Sequence, residues 1–145
     1  MRTTTLLLML GTLVLAGAGC GGGGGGGGGS TGGVMPPTGG SASFLEVQTQ
    51  IFDVSCAQSG CHVGAGAPFG LDLSTGLSYG NTVGVPSAEI MSFNRVTPGN
   101  ATDSYLYMKV VDDPRIMGDP MPFGNPLDQA RIDLLRQWIE DGANP

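Results

Sequence analysis

From Gly21 to Gly29 the chain is glycine without interruption, and Ser30, Thr31, Gly32, Gly33, Pro36, Pro37, Gly39 and Gly40 continue the same composition. Glycine has no side chain to bury and loses more backbone freedom on ordering than any other residue. Residues 20–43 are therefore expected to lie outside any core, as a flexible linker with a root-mean-square span of about 25 Å. The linker divides the 145 residues into a leader (1–19), a tether (20–43) and one domain (44–145). A domain of about 100 residues is near the lower end of ordinary sizes. A core that small gains from a staple, a metal or a cofactor.

The leader reads MRTTTLLLMLGTLVLAGAG, with Arg2 first, an apolar run from Leu6 to Ala16, and small residues after it. Charge, apolar stretch and small-residue cleavage site are the three parts of a signal peptide. The run is too short for a convincing membrane-spanning helix. The ending Leu15-Ala16-Gly17-Ala18-Gly19-Cys20 resembles a bacterial lipobox. That implies a lipidated Cys20 as first mature residue, and an exported protein held at the periplasmic or outer surface of a membrane. Two or more acyl chains give stable anchoring where one does not. Ordinary cleavage after Ala18 is the alternative, because Ala16 and Ala18 satisfy the A-x-A rule.

The domain reads as all-α with long loops. Residues 44–55 place Leu45, Val47, Ile51, Phe52 and Val54 partly at helical spacing, with Ser43 and Glu46 as a capping box. Residues 62–100 are rich in Gly, Pro, Asn and Ser and predict loop, with one short helix near Ser74–Tyr79. Their apolar side chains (Leu71, Leu73, Leu77, Val83, Val85, Ile90 and Phe93) need a surface, and a bound cofactor provides one. A helix is expected over 104–111, capped at Asp103 or Ser104, with Tyr105, Met108 and Val111 on one face. The strongest helix spans 128–141, with Asp128 as cap, Gly142 after it, and a stripe of Leu134, Leu135, Trp138 and Ile139. No repeat and no strand pairing is evident.

Besides Cys20 the chain has two cysteines, Cys56 and Cys61, and its only histidine, His62, directly follows the second. Two thiols can add to the vinyl groups of a haem, and a histidine beside the second can then reach the iron. The usual spacing is C-x-x-C-H. Here four residues separate the cysteines, and Ser59-Gly60 suit the turn that absorbs the extra length. The cysteines by themselves fit equally a Cys56–Cys61 disulfide in a haem-free exported binding or structural domain. The adjacent His62 favours one covalent haem c. A zinc site lacks a fourth Cys or His ligand.

A second axial ligand must come from elsewhere, and methionine is the natural donor. Met121 stands between Pro120 and Pro122, which restrict the backbone around it. Met117 is the runner-up, Met91 a loop alternative, and Met108 a core residue on a helix. Proximal histidines usually donate their second ring N–H to a carbonyl or carboxylate, and the Pro68 carbonyl is one candidate. Arg95 and Arg115 could meet haem propionates, but a plain surface role is the favoured reading for both.

Several segments occur in order: Ile51-Phe52, Cys56…Cys61-His62, Gly70-Leu71-Asp72-Leu73-Ser74, Val96-Thr97-Pro98-Gly99-Asn100, Ser104-Tyr105-Leu106, Met121-Pro122, Arg136-Gln137-Trp138-Ile139 and Asp141-Gly142-Ala143. This set, over roughly residues 44–143, resembles the class I-like cytochrome c domains of planctomycete and myxobacterial exported proteins. The resemblance implies a haem between N- and C-terminal helices and a role in electron transfer. It implies thioether cysteines at Cys56 and Cys61, a proximal ligand at His62 and a distal one at Met121. Phe52 and Trp138 fall where the terminal helices cross.

Net charge is −6, from 6 Lys plus Arg against 12 Asp plus Glu. Such a chain repels phosphate backbones, so nucleic acid is not an expected partner. A basic redox protein is compatible. With the only histidine committed there is no distal acid–base set and no nucleophile–base pair, so an enzyme is not expected.

Overall fold

The computed structural model describes residues 40–145. The expected signal peptide, Cys20 and the tether through residue 39 lie outside the described residues. Among the described residues the regular structure is helical: α1 (Phe44–Val47), a π-helix (Gln48–Cys56), α2 (Ser78–Thr82), α3 (Tyr105–Val111) and α4 (Gln129–Glu140), with short 3-10 turns at Pro68–Gly70 and Ala101–Asp103. Extended pairing is limited to isolated bridges, such as Val83 with Val96. An all-α class with long loops is what results.

The helix expected over 44–55 is present but divided. Ser43 and Glu46 form the capping box, each side chain bonded to the other's backbone N–H. From Gln48 the winding widens to the π type, with bonds five residues apart. This brings side chains five apart together: Gln48 Nε2 donates to Asp53 Oδ1 at 2.6 Å. Val47, Ile51 and Phe52 are buried while Leu45 and Val54 are exposed. Helical spacing alone carries no sign of that change in winding.

The core lies where α1 and the π-helix meet α4. Leu134, Leu135, Trp138 and Ile139, the expected stripe, are all buried, and Asp128 Oδ1 caps α4 by accepting from Arg131 N–H at 2.9 Å. Phe44 makes an edge contact with Phe52 (6.4 Å) and a tilted one with Trp138 (5.4 Å). Trp138 Nε1 donates to the Asn144 carbonyl at 2.8 Å, and Tyr79 OH to Ala143 at 3.1 Å. The chain end is thereby locked over α4. Ala42 is also buried, its N–H donating to Asp141, so the packed region starts just before residue 44.

On α3, Tyr105 and Met108 are buried as expected, but Val111 is exposed and Lys109 takes its place inside. Six residues along an α-helix is about 240° of rotation, which carries Val111 away from the Tyr105 face, whereas four residues is nearly one turn. Ser104 occupies the N-cap position without bonding into the helix. Its Oγ instead accepts from Thr97 N–H and donates to the Asn100 carbonyl, each at 2.8 Å. In the long loop region the short helix forms at Ser78–Thr82, slightly later than expected. Only part of that region's apolar set faces a cavity. Leu71 and Leu73 do, Val83 packs on the core, Phe93 stacks on Tyr105, and Leu77 is exposed.

Candidate functional site

The π-helix ends at Cys56, and the chain turns at once. Ala57 N–H donates back to the Phe52 carbonyl at 2.7 Å. Cys61 N–H closes a turn onto Gln58 at 2.9 Å, with Gly60 at φ 80°, a conformation that suits glycine. His62 N–H then reaches the Cys56 carbonyl at 3.1 Å. The extra residues between the cysteines are thus absorbed as one turn at Ser59-Gly60, and His62 is bonded directly to the backbone of Cys56. Both sulfurs are free thiols. Burial pushes the Cys56 thiol up to about 12, with Cys61 adding to the shift. A thiol so raised is a poor nucleophile in its own right.

His62 is held by a segment that follows it, residues 71–73. Its carbonyl accepts from Leu73 N–H at 2.9 Å, and its Nδ1 lies 3.1 Å from the Leu71 carbonyl. Asp72 bonds Gly64 N–H at 2.9 Å, and Gln48 Nε2 donates to the Leu73 carbonyl at 3.1 Å. The segment 71–73 therefore clamps the His62 loop and is itself tied to the π-helix. Pro68, the acceptor considered from sequence, is replaced by Leu71. Pro68 spends its carbonyl on Leu71 N–H in a tight turn. A carbonyl only accepts, so this contact requires the proton on Nδ1 and leaves the Nε2 lone pair available. Burial holds the imidazole below its ordinary range. The bond to Leu71 opposes that shift, and the Arg95 charge adds to it.

These groups line one cavity of about 510 Å³, within the usual size range of small-molecule and cofactor sites. Cys56, Cys61 and His62 lie on it together with Met121. Apolar wall comes from Ile51, Phe52, Leu71, Leu106, Val110 and Leu135, and charge from Glu89, Arg95 and Lys109. Of the four candidate methionines only Met121 contributes to the lining. Met117 and Met91 are exposed and Met108 is sealed in the core.

Arg95 also lines the cavity, with its guanidinium bonded to the carbonyls of Asn81 (2.8 Å) and Phe69 (2.7 Å). Arg115 lies elsewhere, bridging Asp103 and Asp113 on the surface. Lys109 and Glu89, which pair at 3.0 Å, carried no sequence signal beyond a lysine at helical register with Tyr105. Among the described residues no cluster of three or more His, Cys, Asp and Glu side chains is arranged to hold a metal ion by itself. An imidazole and a thioether on one cavity suit iron whose other ligands come from a macrocycle.

Compared with known proteins, the chain matches no family model, no curated protein and no solved structure. What the site can do follows from its own chemistry.

Proposed function

We propose that this chain is a single-haem c-type cytochrome that carries electrons, exported and tethered to a membrane through lipid on Cys20. One observation carries the reading: Cys56, Cys61 and His62, from one segment of the sequence, and Met121, from a distant one, border one largely apolar cavity. Cys56 and Cys61 would hold haem c as thioethers, His62 would bind iron through Nε2, and Met121 through sulfur. Haem in that setting supplies a reversible one-electron couple, and His/Met ligation raises its potential. The Leu71 carbonyl orients the His62 ring and makes it a better donor. The apolar wall would give the haem surroundings of low polarity. With His62 and Met121 both holding the iron, no position would be left open for a substrate, so the reading is electron transfer and not an enzyme. Its acidic surface suits a basic redox protein as partner, and nucleic acid is not one. No helix among the described residues is long and apolar enough to cross a membrane.

The test is expression with a c-type maturation system, denaturing electrophoresis and haem staining. A stained band that disappears in Cys56→Ser/Cys61→Ser is expected. No stain, with a Cys56–Cys61 disulfide found by mass spectrometry, replaces this reading with the haem-free binding or structural domain.

A further inference from the structure

Lys109 has its side chain 11% exposed. Enclosing an ammonium is costly unless its donors are matched, and here they are. Nζ donates to the Met117 carbonyl in a very short contact, to the Asp119 carbonyl at 3.2 Å, and to Glu89, whose nearer oxygen is 3.0 Å away. Three donors meet three partners. The ammonium also lies 5.6 Å from the centre of the Tyr105 ring. Between the two carbonyls Gly118 takes φ 67°, which turns the chain so that both reach one nitrogen.

The backbone of the same residue makes a second attachment. Lys109 lies in the last turn of α3, where carbonyls have no partner within the helix. Its carbonyl accepts from Met121 N–H at 2.8 Å. One turn earlier, Tyr105 OH accepts from Met117 N–H at 2.9 Å. Among the described residues, every hydrogen bond that joins the loop of residues 117–125 to the rest of the fold ends on Tyr105 or Lys109. That loop has no regular structure to hold it otherwise.

From these contacts we infer that Lys109 is the positioning residue for Met121: its ammonium gathers the loop and its carbonyl fixes the Met121 backbone at the cavity. Its relevance to iron rests on the reading of Met121 as a ligand; the clamp itself does not. Lys109 is not itself proposed as a ligand, since its three donors are spent on the loop and Glu89.

The experiment compares wild-type holoprotein with Lys109→Met, which keeps length but removes the donors, and Lys109→Arg, which keeps charge and donors. Two quantities are read: amide hydrogen exchange by segment, and the near-infrared iron–sulfur charge-transfer band. In Lys109→Met, exchange over residues 116–123 should rise at least about tenfold, as expected for losing charge-assisted bonds, while α4 stays as protected as before. The band should fall to less than about half with haem still attached, and Lys109→Arg should recover part of both signals. Unchanged exchange in 116–123 and an unchanged band in Lys109→Met overturn the proposal. A general rise in exchange that includes α4 also overturns it, since that is a loss of global stability. A wild type without the band overturns the assignment of Met121 as ligand, and the clamp is then decided by exchange alone. Should Lys109→Met not fold, the wild type decides. A Met121 amide that exchanges as fast as an unprotected one is incompatible with the clamp.

Discussion

The Nδ1 of His62 lies 3.1 Å from the Leu71 carbonyl, across a loop that the two residues close together with the backbone bond from Leu73 to His62. Because the acceptor is a carbonyl, the ring is held as the Nδ1–H tautomer before any metal arrives. Nitrogen-15 NMR of the haem-free thiol form at pH 8 should therefore show Nδ1 protonated and Nε2 bare. The opposite tautomer would remove His62 as a preset ligand.

Met121→Ala and Met117→Ala separate the two methionine candidates. Only Met121 borders the cavity, and Met117 is 54% exposed. The near-infrared iron–sulfur band should vanish in Met121→Ala and persist in Met117→Ala, whose loop contacts run through its backbone. The reduction potential should fall in the first, because a sulfur ligand favours reduced iron. The reverse pattern moves the ligand to Met117.

Trp138→Ala removes the centre of the terminal-helix crossing, where the indole is fully buried and bonded to Asn144. A loss of about 3–5 kcal/mol is expected from denaturant unfolding. Leu45, on α1 and 69% exposed, should cost under about 0.5 kcal/mol when cut to alanine. Similar losses at both positions would contradict the packing.

Acid titration should single out Asp113. The Arg115 side chain, bonding its carboxylate at 2.8–2.9 Å, holds the group down to about 2. A folded pKa below the unfolded value of about 3.9 favours folding above that value. The contribution is lost as pH falls through about 2. The effect is small for so exposed a pair. Carboxyl NMR should show the Asp113 midpoint rising toward the ordinary range in Arg115→Gln. An unmoved midpoint would rule out Arg115 as the cause.

Cys20→Ser tests the tether. The substituted protein should leave the membrane fraction and become soluble after export, because acyl chains on the sulfur are the proposed anchor. A wild type already soluble, with Gly19 as its first residue, would show that cleavage follows Ala18 and that no lipid is attached.

Local chemistry was legible in the sequence. The Ser43–Glu46 capping box, the Asp128 cap and the Leu134–Ile139 stripe depend on residues within one or two turns of each other, and all three formed as their spacing implies. The turn at Ser59-Gly60 that brings His62 back to Cys56 is of the same kind. Other features depend on what meets across the fold. No local pattern distinguishes a π-helix from Gln48 onward. Leu71 holds His62 because the 71–73 segment folds back along it, while Pro68 spends its carbonyl in its own turn. Lys109 is buried in place of Val111 because the loop of residues 116–124 folds over α3 and supplies carbonyls that match an ammonium. Which methionine borders the cavity was likewise decided there. Caps, stripes and turns are set by energies between near neighbours in the chain, whereas the burial of a charge or the choice of an acceptor depends on groups that only the packed chain brings together.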